Sequence, residues 1–278
     1  MTTDTALVDA SPDRGWREEL SLLARGLVVQ AEVVHAVFLR ETRTRFGNYR
    51  LGYLWAIADP IIIIATFYTF FRLLGRSAPL GMDVFEFLTT GLLPYRLFAS
   101  CAAQVGEAVN GNRALLFYPR VLPVDLAIAR GLFEFVTYTT VFIVLMGGHA
   151  LYTQHLAIES PLHVIAGLLL LALLGTAVGL VFCAIGVVWS SADKARGAIL
   201  RPFFWISGVF FTMSMLPGNI QALASLNPII HGVELVRGGW FVGHGLEHAS
   251  LTYLLRVILG LTLAGLLLER YTRPRIEL

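Results

Sequence analysis

Long apolar runs constrain this chain more than any other feature. A helix needs about 20 mostly apolar residues to cross bilayer hydrocarbon. Residues 51–74, 128–150, 161–189, 198–215 and 251–268 meet or approach that length. A sixth stretch, 85–109, is weaker because it carries Glu86, Pro94, Arg96, Gln104 and Glu107. Hydrophobic residues make up 56% of the 278 positions and charged residues only 14%, against about 25% charge in an ordinary soluble domain. The expected fold class is therefore an all-α polytopic membrane protein with six transmembrane helices.

Sidedness supports counting the sixth stretch. Arg14, Arg17, Arg25, Arg40, Arg43, Arg45 and Arg50 precede the first span. With six spans, the even-numbered connections hold Arg113, Arg120 and Arg130, then Lys194, Arg196 and Arg201, and the tail adds Arg270, Arg273 and Arg275. The odd-numbered connections hold only Arg76 and Arg237, with Arg72 at a span end. Basic residues favour the cytoplasmic side, so both termini are expected inside. Omitting the 85–109 span would invert every later loop. Residues 1–14 are polar and partly acidic, so no secretory signal is expected, and the ending Arg-Ile-Glu-Leu gives no lipidation box.

Two segments outside the spans have their own helical logic. Leu20, Leu23, Leu27, Ala31, Val34 and Phe38 recur at steps of three and four, forming a narrow apolar stripe opposite Arg25, Glu32 and Arg43. Residues 1–46 are thus expected to form a cytoplasmic segment with an amphipathic helix on the membrane surface or a partner. Residues 47–278 form the six-span domain. Within it, Pro217-Gly218-Asn219 opens a short helical pattern, and Asn227-Pro228 supplies an N-cap followed by proline at the first helical position. The second piece is expected to end near Gly238-Gly239. Each piece would be about 12–15 Å long, under half a bilayer. An outer re-entrant hairpin over 217–240 follows, provided its backbone is buried in protein.

The chemistry-bearing motifs are sparse. The one lysine, Lys194, lies between Asp193 and Ala195, so there is no Gly-Lys-Ser/Thr phosphate-binding loop. Any ATP-driven role needs a separate ATPase. A net charge of +2 gives no basic field for nucleic acid. Cys101 and Cys183 lie inside apolar runs without metal spacing and read as small buried hydrophobes. His244-Gly-Leu-Glu247-His248 matches an inverted zinc-peptidase pattern, but two glycines in an outer loop do not put the ligands on one helix face. His231 and Glu234, three apart, read as structural or polymer-facing. No catalytic residue and no metal site are expected.

Charges inside spans are costly and face a partner or an aqueous path. Asp59 lies about 12 Å into the first span, Arg96 is mid-way along the second, and Arg256 is within the sixth. Asp59 with Arg96 could form a structural ion pair or belong to a translocation path. The fourth span, on 161–189, carries Ala172, Gly175, Gly179 and Cys183 as a small-residue face suited to close helix contact, within the chain or across a dimer.

The stretch from Phe38 to Pro60, Phe-Leu-Arg-Glu-Thr-Arg-Thr-Arg-Phe-Gly-Asn-Tyr-Arg-Leu-Gly-Tyr-Leu-Trp-Ala-Ile-Ala-Asp-Pro, strongly resembles the opening of capsule-polysaccharide export permeases. These are integral-membrane subunits of type-2 ABC exporters. Asn-Arg-Ala-Leu-Leu-Phe-Tyr-Pro-Arg-Val-Leu-Pro after the second span, Ala129-Arg130, and Asn227-Pro228-Ile-Ile-His-Gly-Val-Glu-Leu-Val-Arg237 resemble the same family. The resemblance runs from about residue 30 to the end. Asp59, where glutamate is commoner, and Arg96, where an apolar residue is commoner, depart from it.

The resemblance implies an inner-membrane homodimer bound to two ABC ATPase subunits, with periplasmic and outer-membrane export partners. It implies export of a lipid-linked acidic polysaccharide, with related O-antigen or teichoic-acid export as the alternative and a membrane enzyme on lipid-linked sugars as a more distant one. It places no cofactor in this chain, since ATP and magnesium bind the ATPase. It also implies that 112–123 couples to the ATPase. Asn112, Arg113, Leu115, Leu116, Phe117, Tyr118, Pro119 and Arg120 are the coupling residues, the last four apolar ones before Pro119 forming an exposed knob. Spans one, two and five would flank the path, which makes Tyr53, Trp55, Asp59, Tyr95, Arg96, Phe203, Phe204 and Trp205 the substrate-path candidates. In the hairpin the candidates are Asn227, Pro228, His231, Glu234 and Arg237.

Overall fold

A computed structural model describes residues 16–46, 52–118, 120–155, 158–189 and 191–273, with side chains at 16–18, 45–46, 52–57 and 80 also outside the description. Pro119 and the side chains of Tyr53 and Trp55 therefore lie outside the described residues. The described residues form helices α1 (Trp16–Phe46), α2 (Gly52–Leu73), α3 (Val84–Gly106), α4 (Pro123–Thr153), α5 (Pro161–Val188), α6 (Ala192–Ile206), α7 (Gly218–Ala224), α8 (Pro228–Trp240) and α9 (Leu251–Thr272), and no strand. By length and composition, Pro123–Thr153, Pro161–Val188 and Leu251–Thr272 can each cross a membrane. Glu19–Thr44 within α1, expected as a surface helix, also meets that measure.

The starts of these helices follow local chemistry. Asp83 caps α3 by accepting from the backbone N–H groups of Phe85 and Glu86. Pro123 and Pro161 open α4 and α5, where the missing N–H has no intrahelical partner in any case. Asn227 caps α8 as expected, accepting from Ile229 N–H at 3.0 Å, with Pro228 next.

Helices α3 and α5 form the central pair, with α4, α8 and α9 packed around them. Their contact explains the small-residue face. A Cβ on Gly175 would lie 2.4 Å from the Phe98 carbonyl oxygen, and one on Gly179 2.6 Å from Val105 Cβ. This contact is within the chain and brings the helix backbones together, as small residues allow. Cys101 and Cys183 are both buried free thiols. The core runs through Leu92, Leu97, Phe98, Leu171, Val233 and Val236, all 2% exposed or less.

Two expectations need correction. The apolar run 198–215 is not one helix: α6 has 15 residues and ends at Ile206, so it is about 22 Å long, short of the roughly 30 Å of hydrocarbon. The chain then bends at Gly208, whose φ of +75° is open to glycine at little cost. The freed carbonyls of Gly208, Val209 and Phe211 all accept from the Arg237 guanidinium. A hydrophobicity scan cannot see that donor, which lies on α8.

The second correction concerns the role of Gly238 and Gly239: α8 ends at Trp240, near them as expected, but they sit in its last turn and do not cap it. A Cβ on Gly238 would lie 2.4 Å from Leu246 Cδ2, and one on Gly239 2.7 Å from Val164 N. These glycines admit neighbouring chain rather than cap a terminus. The two short helices expected to form a hairpin are also unequal: α7 has seven residues and α8 thirteen. Every α8 residue from Ile229 to Trp240 is buried, whereas no α7 residue is.

Candidate functional site

The first candidate region is the segment between α3 and α4. Residues Asn110–Phe117 form a tight helical stretch broken by non-helical geometry at Asn112 (φ −133°, ψ 28°). Asn112 is itself 5% exposed. Its side chain accepts from Arg40 at 2.8 Å and donates to the Ala108 carbonyl at 3.2 Å and to Glu41 at 3.4 Å. Glu41 also accepts from Arg130 Nε at 3.0 Å, and Arg130 Nη1 donates to the Gln104 carbonyl at 2.8 Å. Below this network Val37 packs with Ala108, Val109, Leu126, Ala129 and Cys183.

Leu115 and Leu116 are half-buried against that cluster, which corrects their expected place in an exposed knob. They anchor the segment to α1. Phe117 is 87% exposed and Tyr118 63%, flanked by exposed Arg113 and Arg120. The outward surface is therefore an aromatic pair within a basic setting, on a backbone held from behind.

The second region lies between α2, α3 and α6. Arg96 Nη2 donates to Asp59, joining α3 to α2 in an ion pair. The Asp59 side chain remains 60% exposed and that of Arg96 29%. Tyr95 is buried, its hydroxyl donating to the Leu200 carbonyl at 3.0 Å and its ring edge-on to Phe204 at 5.3 Å. Phe204 also meets Trp205 at 5.1 Å and Phe210 at 5.4 Å, both edge-on. Phe203 and Phe204 are half-buried, while Trp205 is 61% exposed. Of the described aromatic candidates, Trp205 thus offers most surface.

The third region is α8 with its surroundings. Arg237 has no exposed surface, lies over the Phe87 ring at 4.3 Å, and approaches Glu234 at 3.9 Å. Glu234 in turn accepts from Met213 N–H at 3.0 Å and from His244 Nε2 at 2.8 Å. His231 Nε2 bonds the Ser225 carbonyl at 2.8 Å, which leaves Nδ1 to accept from Ser250 N–H at 3.1 Å. These three side chains join α8 to the unwound stretch after α6, the end of α7 and the start of α9. Buried polar networks of this kind rigidify the backbone they hold, although Arg237 Nε and His244 Nδ1 have no partner among the described residues.

Sequence reasoning missed Arg40, Glu41, Glu107 and Arg196. Arg196 on α6 is 8% exposed and pairs with Asp193 at 2.8 Å and Glu107 at 3.5 Å. Only the Asp193–Arg196 spacing of three carried any local signal.

Residues 32–241 match the model of a family described as ABC-2 type transporter. The chain is similar to polysialic acid transport protein KpsM of Escherichia coli, 34% identical over 88% of this chain and 95% of that protein. It is similar to capsule polysaccharide export inner-membrane protein BexB of Haemophilus influenzae, at 25% identity over 91% and 96%. A lower similarity connects it to O-antigen export system permease protein RfbA of Klebsiella pneumoniae, 24% identical over 82% and 86%. With apolar helices suited to a bilayer and a family match over most of its length, this chain belongs to the ABC-2 type transporter family.

Proposed function

We propose that this chain is the permease subunit of an inner-membrane ABC exporter that moves lipid-linked capsular polysaccharide outward. The observation that carries this is the near full-length similarity to a polysialic acid transport protein. The chain supplies a path and a docking surface, and ATP and magnesium are bound by a separate ATPase. Two copies of this chain and two of the ATPase make up the exporter, which hands its acidic polymer to periplasmic and outer-membrane partners.

In this proposal the chain crosses six times, through α2, α3, α4, α5, α6 with the stretch after it, and α9. Both termini are cytoplasmic, in keeping with the arginine distribution. The exposed Phe117–Tyr118 pair then faces the ATPase, and α7 with α8 dips in from outside. The burial of α8 from Ile229 to Trp240 supports that role, because non-spanning backbone at membrane depth must be enclosed by protein. Asp59, Arg96 and Trp205 border the polymer path, with Phe203 and Phe204 behind them. Tyr53, Trp55 and Pro119 keep their proposed roles on the resemblance alone.

The test is to purify the chain with its partner ATPase and follow polymer uptake into inverted vesicles. Hydrolysis stimulated by an acidic lipid-linked polysaccharide, coupled to its uptake, is the expected result. The similarity to an O-antigen permease favours a second reading, in which a lipid-linked O-antigen is the cargo. Stimulation by that polymer and not by a capsular one would select it.

A further inference from the structure

We infer that Glu41 is a positioning residue that fastens α1 to the coupling segment, so that motion of this segment reaches α1 directly. The inference rests on the proposed docking of Phe117 and Tyr118 to an ATPase. Glu41 Oε1 is shared between Arg130 Nε at 3.0 Å and Asn112 Nδ2 at 3.4 Å. The neighbouring Arg40 holds the other end of the same carboxamide at 2.8 Å. Adjacent residues of one helix therefore grip both ends of Asn112. Asn112 is also where the coupling segment leaves helical geometry, so α1 holds that segment at its kink.

The grip is shielded enough to transmit force. The Glu41 and Arg130 side chains are 15% and 13% exposed, and charge pairs taken out of bulk water are screened less than surface pairs. Two more contacts keep α1 in register with α4: Gln30 donates to Asp125 at 3.0 Å, and the Phe38 and Phe133 rings lie 5.9 Å apart. Beside the pair is an open pocket of about 220 Å³ lined by Glu41, Thr44, Gln104, Arg130, Phe133 and Glu134. It leaves the pair room to reorient without displacing a packed core.

The other half of α1 is built differently. Residues 19–29 are exposed throughout, including Leu20 at 54%, Leu23 at 65% and Leu27 at 67%. Eleven helical residues extend about 16 Å. A stiff helix clamped over residues 30–41, with its earlier residues on the surface, behaves as an arm pivoting on its clamp. Displacement at Asn112 then moves the leucine-bearing end further than the clamp itself.

The experiment uses the whole permease–ATPase complex in vesicles and reads ATP hydrolysed per polymer exported. Glu41→Gln and Arg130→Gln should each raise that ratio about tenfold, within the range of an ordinary coupling free energy, with assembly and hydrolysis retained. The charge swap Glu41→Arg with Arg130→Glu should restore the ratio toward the parent. Parent-like ratios in both single variants would overturn the inference. So would export and hydrolysis falling in proportion, without rescue by the swap, which is the mark of a folding role alone. A parent complex that exports no polymer would remove the proposed function and this inference together, whereas an exporting parent with indifferent single variants removes only the inference.

Discussion

Arg237 donates to the carbonyl oxygen of Gly208, which lies 29 positions earlier on the stretch that follows α6. The same guanidinium holds Val209 and Phe211 at 2.9 and 2.7 Å. Three carbonyls in the non-helical stretch after α6 thus find one buried cation, and Glu234 supplies its counter-charge. Arginine suits this task because its planar fork offers several fixed donors, which a lysine ammonium does not reproduce.

Arg237→Leu should therefore be severely destabilising. Removing one member of a buried ion pair costs about 3–5 kcal/mol, and the stranded carbonyls add to that. The measurement is thermal unfolding of the detergent-purified chain, with Arg237→Lys expected between Leu and the parent. Parent-like unfolding of Arg237→Leu would mean that water or backbone satisfies those carbonyls instead.

Phe117 and Leu115 should separate docking from folding. Phe117 is 87% exposed, so Phe117→Asp should leave the permease folded and in the membrane while the ATPase no longer co-purifies. Leu115 packs toward Val37 and Ala108, and a carboxylate forced into that cluster is strongly unfavourable. Leu115→Asp should lower unfolding temperature as well. Retained ATPase and full export by Phe117→Asp would take the docking role away from this segment.

Topology can be read with cysteines in a background lacking Cys101 and Cys183. Thr153, Gly243 and Lys194 are all exposed. Cysteines at Thr153 and Gly243 should react with an impermeant thiol reagent in intact cells, and one at Lys194 only after permeabilisation. The reverse labelling pattern would turn the proposed orientation over.

Arg96→Leu tests whether the path has an electrostatic component. The change leaves Asp59, 60% exposed, without its cation, so an acidic polymer meets an added negative charge. Export of acidic polymer should fall several-fold at matched membrane levels, and a neutral polymer should be affected less. Asp59→Asn with Arg96→Leu should recover part of the loss. Equal losses for both polymers would assign the pair to holding α2 against α3.

The segment pattern was legible because membrane insertion is mainly a matter of local hydrophobicity and length. The helical ranges α2, α3, α5 and α9 fall within a few residues of the apolar runs, since each buries its backbone bonds within itself. The cap Asn227-Pro228 was legible for the same reason: its donors and acceptor lie within two residues. Capsule-permease resemblance was likewise carried by contiguous residues between Phe38 and Pro60.

Other features depended on residues distant in sequence. The end of α6 was decided by Arg237, the clamp on Asn112 by Arg40 and Glu41 from 72 and 71 positions away, and the Glu41–Arg130 pair by a separation of 89. Leu115 and Phe117 look equally apolar in sequence, yet one meets α1 and the other faces outward. The sequence alone determined which stretches are helical and apolar, because those properties are set by neighbours along the chain. Tertiary structure decided which helix unwinds, which glycines admit a neighbour and which aromatics remain exposed, because partners for buried polar groups and close packing come from other helices.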